Sequence, residues 1–202
     1  MNKILEESFE EDLKNTYDNI FSLCKPYNNQ GINETNLTVN FTESLKKELG
    51  NDSISLYEIK LKEEKINGVL KHSRVDSLAY SESKNSIFYI EAKKFKRSQL
   101  GYMDKLAKDI KRLILKENRD YILNSLDIKS ESLNQYCVFI ADHWNKKNSI
   151  GNVEKWFSQF DQVNLSKNEN FKGLSNIYNS KIEIKKIDDE TYMIYIMVLK
   201  LN

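Results

Sequence analysis

Apolar residues recur at helical spacing along the first stretch of the chain, at Ile4, Leu5, Phe9, Leu13, Tyr17, Ile20, Phe21 and Cys24. Pro26 follows, so a helix over 3–24 is predicted, with PYNNQGIN as a loop. Leu37, Phe41, Leu45 and Leu49 then make one stripe at four-residue steps. That predicts a second helix over 33–49, opened by Asn33 as N-cap and closed by Gly50. Next the period changes to two, predicting strands over 53–61, 74–80 and 86–92, with a polar turn over 62–68. In the first of these, Ile54, Leu56 and Tyr57 are the expected buried positions. The third is apolar on both faces, as a central strand should be. Ile87 and Tyr89 share a side with Glu91 and Lys93, and Phe88, Ile90 and Ala92 take the other. Helical period returns over 98–118, and the apolar run 136–141 reads as a buried strand able to pair in parallel across that crossover. A short helix over 152–160, an irregular stretch over 161–180 and a hairpin of 181–187 with 192–199 close the chain, the last turning at Asp188-Asp189-Glu190.

The order α, α, β, β, β, α, β, α, β, β, undivided by any linker or repeat, predicts a single α/β domain over 1–202. Its centre would be a mixed β-sheet flanked by helices. At 202 residues the chain can bury a real core. With 30% charged residues and no window of membrane-spanning length, a soluble, cytoplasmic protein with no membrane partner is expected. The start MNKILEESFEEDL is acidic and amphipathic, unlike a signal peptide. Cys24 and Cys137 read as two separate buried thiols. Net charge is only +1, but its distribution is uneven. Glu6, Glu7, Glu10, Glu11 and Asp12 make the start acidic, whereas Lys93, Lys94, Lys96, Arg97, Lys105, Lys108, Lys111 and Arg112 make the middle basic. Such a zone can neutralise phosphates, or can simply be a solvated surface.

Candidate chemistry gathers on RVDSLAYSESKNSIFYIEAK, residues 74–93. If its two strands turn through the four residues 82–85, Ser81 faces Ser86 and Asp76 comes opposite Glu91, on the same face as Lys93. A one-residue slip would send Asp76 to the other face. Two adjacent carboxylates repel and call for a cation, and Mg²⁺ takes oxygens from one or two carboxylates, waters and phosphate. Glu-x-Lys by itself carries little, because Glu58-Ile59-Lys60, Glu63-Glu64-Lys65, Glu82-Ser83-Lys84 and Glu183-Ile184-Lys185 match it too. Glu91-Ala92-Lys93 differs in ending the most apolar of these strands and in having Asp76 placed to meet it. The second helix adds to this: Leu37, Phe41, Leu45 and Leu49 all fall within roughly 60° of Glu34 on a helical wheel, so Glu34 heads the buried stripe while Glu43 lies on the wet face. A first-turn acid favours the helix dipole in any case; the alternative is that Glu34 reaches the same polar site.

Glu34, Asp76 and Glu91-Ala92-Lys93, carried on helix–three strands–helix–strand, resemble the PD-(D/E)xK, or restriction-endonuclease-like, nuclease superfamily over about residues 32–142. Val75 stands where the family's name has proline, and the first helix and closing hairpin lie outside the match. The resemblance implies an αβββαβ restriction-endonuclease-like core and hydrolysis of DNA phosphodiesters. It implies Asp76, Glu91 and the carbonyl of Ala92 as ligands of Mg²⁺, with Mn²⁺ as substitute. Lys93 would orient or activate the attacking water, and Glu34 would be an auxiliary carboxylate.

Lys94, Lys96, Arg97, Lys105, Lys108 and Arg112 are the candidate nucleic-acid contacts, against a plain reading as a solvated helix face paired with Asp104 and Asp109. DNA is the expected partner, with RNA the alternative. A two-fold homodimer would suit cleavage of both strands. His143, after the fourth core strand, is a weaker candidate for substrate contact, and Trp144 and Trp156 read as core or interface. Two other functions compete: a catalytically inactive DNA-binding or protein-interaction subunit of the same fold, and an unrelated α/β interaction protein in which Glu91-Ala92-Lys93 is coincidence.

Overall fold

The computed structural model describes residues 5, 7–23, 32–66, 69–71, 73–94, 101–129, 132–146 and 174–201. Helix α1 (Glu7–Leu23) and helix α2 (Glu34–Leu49) precede strand β1 (Ser53–Lys60). Two three-residue strands, β2 (Glu64–Ile66) and β3 (Val69–Lys71), pair with each other as a separate ribbon. Then come β4 (Arg74–Ser81), β5 (Ser86–Lys94), α3 (Gly101–Ile114), α4 (Lys116–Ser125), β6 (Asn134–Lys146), β7 (Ser175–Ile187) and β8 (Glu190–Leu201). The main sheet runs β1-β4-β5-β6-β8-β7. Among the described strands of this sheet β5 and β6 pair in parallel, joined across α3 and α4, and the other pairs are antiparallel. This is an α/β fold with an open mixed sheet flanked by helices. No helix among the described residues is long and apolar enough to cross a membrane.

Strand alternation splits the core in two. Leu78, Ile87, Tyr89, Cys137 and Phe139 pack against Ile110 and Leu113 of α3 and Ile122 and Leu123 of α4. Ala79, Phe88, Ile90, Val138 and Ile140 pack against Phe9, Leu13 and Tyr17 of α1 and Leu37, Phe41 and Leu45 of α2. Cys137 is fully buried, which pushes its thiol pKa up; Cys24 lies outside the described residues. The closing hairpin is integral to the sheet. β8 lies between β6 and β7 and is buried on both faces, from Met193 through Leu199.

Four expectations are corrected. Ile54 and Tyr57 are exposed and Leu56 only half-buried, because β1 is an edge strand; Glu43 accepts the Tyr57 and Ser55 hydroxyls there. The turn over 62–68 contains β2 and the start of the β2–β3 ribbon. The helix over 98–118 is broken at Leu115, which is extended. Asn118 Nδ2 donates to the Arg112 carbonyl, and Arg119 Nη1 donates to the Leu113 carbonyl, both at 2.9 Å. Side chains from α4 thus satisfy carbonyls that would otherwise be left bare at the end of α3. Finally, β7 begins at Ser175, within the stretch read as irregular, and register shifts at Asn176/Tyr178 and Glu183/Lys185 interrupt its alternation. The helix predicted over 152–160, with Trp156, lies outside the described residues.

Asn33 caps α2 as expected, its Oδ1 accepting the Asn36 N–H at 2.7 Å. Asn33→Ala should lower stability by about 1 kcal/mol, seen as a melting temperature reduced by about 2–4 °C. An unchanged calorimetric melt would show that the cap contributes nothing.

Candidate active site

The hairpin register is the one counted from the sequence. β4 and β5 pair from Ser81↔Ser86 to Ser77↔Ile90 around the turn 82–85. Asn85 holds φ 47°, a left-handed conformation that asparagine tolerates. Continued one step, this register sets Asp76 across from Glu91. At Asp76 the strand is irregular on both sides. The recorded ladder with β5 stops at Ser77↔Ile90, and that with β1 passes from Tyr57↔Ser77 to Ile59↔Val75. The skipped residue of β1, Glu58, has φ 53°. Val75 and Leu78, three residues apart, lie in the same core cluster, which strict alternation forbids. In this gap the Ala92 N–H donates to Asp76 Oδ2 at 2.7 Å, tying Asp76 to the Glu91–Lys93 segment.

Glu91 and Lys93 continue the Ile87–Tyr89 side of β5, facing α3. Lys93 Nζ lies 3.2 Å from Glu34 Oε1, 3.3 Å from Asp109 Oδ2, 3.7 Å from Glu91 Oε2 and 4.0 Å from Asp76 Oδ2. The Lys94 N–H also donates to Glu34 Oε2, at 3.4 Å. Glu34 is the first residue of α2, on the opposite side of the sheet from α3, so Lys93 at the strand's end is held from both layers. All four predicted site residues therefore meet at one point. Two further groups join them, Asp109 and Arg112 of α3. Arg112 Nη2 donates to Asp109 Oδ1 and lies 3.7 Å from Glu91 Oε1.

The electrostatics follow from burial. Glu91 is 1% exposed, and its Oε1 is buried with no hydrogen-bond partner. Burial, reinforced by the carboxylates of Asp76 and Asp109, drives its pKa well above the usual carboxylate range. Asp76 is raised too, by burial and Glu34, against the pull of Lys93 and the Ala92 N–H. For Lys93, burial favours the neutral amine, but Glu91, Asp76, Asp109 and Glu34 outweigh it and hold the ammonium above its ordinary pKa. Four carboxylates surround two cations, so the fully ionised site has an excess of negative charge that either a proton on Glu91 or a bound divalent ion would reduce.

Among the described residues, no three His, Cys, Asp or Glu side chains converge as a ready-made metal cage. Mg²⁺ does not require one, since it keeps several waters and takes one or two carboxylates. Asp76, Glu91 and the Ala92 carbonyl are the oxygens that could fill that pattern, and Glu91 Oε1, buried without a hydrogen bond though 3.7 Å from the Arg112 guanidinium, is an acceptor left over there.

The basic residues divide. Lys108 and Lys111 are exposed, whereas Arg112 turns to Asp109 and Glu91. Lys94 is half-buried with its backbone on Glu34; Lys96, Arg97 and the side chains of Lys105 and Asp104 lie outside the described residues. His143 is buried, and Trp144 packs in the core against Phe21 and Tyr192. Compared with known proteins, the chain matches no family model, no curated protein and no solved structure.

Proposed function

We propose that this protein is a Mg²⁺-dependent nuclease of restriction-endonuclease-like fold that hydrolyses DNA phosphodiester bonds, in restriction, defence against foreign DNA or repair. The observation that carries the reading is the meeting of Asp76, Glu91, Lys93 and Glu34, far apart in sequence, around one ammonium at the end of β5. The order α2, β1, β4, β5, α3–α4, β6 supports it as well, being the helix–three strands–helix–strand order of that superfamily with the β2–β3 ribbon inserted.

Asp76, Glu91 and the Ala92 carbonyl would hold the Mg²⁺, with Mn²⁺ as substitute. When bound, that cation polarises the phosphate and acidifies an attacking water. The rest is done by the chain. Lys93, kept charged by its carboxylate neighbours, stabilises negative charge that builds on the phosphate oxygens. Glu34 anchors the ammonium from the α2 side and fixes the backbone of Lys94. Exposed lysines of α3 such as Lys108 supply attraction for the nucleic-acid backbone.

The test is cleavage of supercoiled plasmid with Mg²⁺ and with EDTA. Wild-type protein should nick or linearise the plasmid only with the metal, and Asp76→Ala should lower the rate by at least ~10²-fold. DNA binding without cleavage at any divalent ion would favour the inactive-subunit reading. Neither binding nor cleavage of DNA or RNA would leave an α/β interaction protein.

A further inference from the structure

Asp109 belongs to no part of the proposed catalytic set, yet it touches both cations of the site. Its Oδ2 is 3.3 Å from Lys93 Nζ, and its Oδ1 accepts from Arg112 Nη2. Those two cations also flank Glu91: Lys93 is 3.7 Å from Oε2, and Arg112 is 3.7 Å from Oε1. Asp109, Lys93, Glu91 and Arg112 therefore form a ring in which acids and bases alternate, hydrogen-bonded at the Asp109–Arg112 edge and closed by ion pairs at the others, with Glu91 Oε1 accepting no hydrogen bond. Three members of the ring are largely shielded from water, Asp109 and Lys93 each keeping 13% of side-chain exposure and Glu91 2%, while Arg112 at 29% forms its open edge. Charges in such a setting interact more strongly than on an open surface. Asp109 also lies four residues before Leu113, which is fully buried, so the packing of α3 fixes where its carboxylate points.

We infer that Asp109 is a positioning residue of this site, holding Lys93 in place from the α3 side and Arg112 against Glu91. Glu34 grips Lys93 from the α2 side at 3.2 Å, so the ammonium is clamped between helices on opposite faces of the sheet. Without Asp109, Lys93 keeps its charge but loses one jaw of the clamp, and Arg112 loses the group that aims it at Glu91 Oε1. The inference rests on the nuclease reading for its catalytic consequence; the coupling of Asp109 to Lys93 does not.

The two are separated by measuring both. In the metal-free protein, with EDTA, Asp109→Asn should lower the melting temperature by several degrees. In a Lys93→Met background the same substitution should lower it by less than half as much, because residues that act through each other are not additive. Equal losses in both backgrounds would overturn the clamp whether or not the protein cuts DNA. On plasmid with Mg²⁺, Asp109→Asn should reduce kcat by about 10–100-fold, as loss of an outer orienting group does, with KM for DNA unchanged. Asp109→Glu, which keeps the charge, should recover part of that loss. An unchanged kcat, or a loss confined to KM, would show that Asp109 does not position the reacting groups. Wild-type protein that never cleaves, combined with a non-additive melting cycle, would remove the nuclease reading and leave the clamp standing.

Discussion

Lys93→Met should end Mg²⁺-dependent cleavage, lowering the rate by about 10²–10³-fold, the range seen when one preorganised oxyanion donor is removed. Methionine nearly matches the lysine stem in length, so packing is preserved and charge is what changes. The ammonium lies within 4.0 Å of all four carboxylates of the site. Without it Arg112 still offsets two of them, from 3.7 Å to Glu91 and from closer to Asp109. Breaking a buried pair leaves an uncompensated charge at a cost of about 3–5 kcal/mol. Protonation of Glu91, already favoured by burial and by Asp76, relieves part of it. The variant should therefore melt below the wild type in EDTA and regain much of the difference in Mg²⁺, because a dication at Asp76 and Glu91 supplies the missing charge. Activity and stability then part on adding metal: the fold recovers, the cleavage does not. A variant that still cuts plasmid at the wild-type rate would remove Lys93 from the mechanism. One that fails to regain stability in Mg²⁺ would remove the metal from this site.

The parts of the site that sequence made legible were those set by short-range periodicity. The Ser81↔Ser86 register follows from counting a four-residue turn and holds as far as Ser77↔Ile90; beyond it the hydrogen bond from the Ala92 N–H, not the ladder, ties Asp76 to the Glu91–Lys93 segment. Glu34 was found by asking which acid shares the stripe of Leu37, Phe41, Leu45 and Leu49, all of which are buried. By the same criterion Asp109, three residues after Leu106 and four before Leu113, shares the apolar stripe of α3. The lysines that surround Asp109 in α3 obscure that signal. Arg112 was grouped with Lys105 and Lys108 on spacing alone, but spacing cannot say whether a cation faces water or a buried acid across a sheet. The features out of reach were those imposed by tertiary contacts. No Pro or Gly marks the break at Leu115, which is stabilised by Asn118 and Arg119 reaching back to the carbonyls of α3. The exposure of Ile54 and Tyr57 comes from β1 being at the sheet's edge, a property of strand order that the alternation of one strand does not contain.

Asp142→Asn should make the protein more stable at pH 8 while changing little near pH 4. Asp142 lies in β6 beside Lys94 of β5 and is 1% exposed. The Tyr192 hydroxyl donates to its Oδ2 at 2.5 Å, and its Oδ1 is buried without a hydrogen-bond partner. Burial pushes its pKa up from 3.8 to about 7, against the Tyr192 hydrogen bond and the Lys94 charge. The sign follows by linkage. Below pH 3.8 folded and unfolded chains both carry the proton, and the protonated acid's contribution is fully present. Between 3.8 and about 7 only the folded chain keeps it, so stability falls as pH rises. Above about 7 the loss is complete, of the order of 4 kcal/mol at 1.36 kcal/mol per pH unit. Asparagine is neutral throughout and its carbonyl can still accept from Tyr192, so the Asp142 part of the slope should vanish, leaving that of the other raised carboxyls, Glu91 and Asp76. Urea denaturation at pH 4, 6 and 8 in EDTA would show the two proteins converging at the acid end and separating at the alkaline end; parallel profiles would mean that Asp142 does not titrate in this range. Glu34 raises the Asp142 pKa and Lys94 lowers it, so this buried acid also senses the charge of the group that clamps Lys93. Neutralising Glu34 by Glu34→Gln should shift the Asp142 titration downward, which links the stability of the α2 face to the charge state of the site at the end of β5.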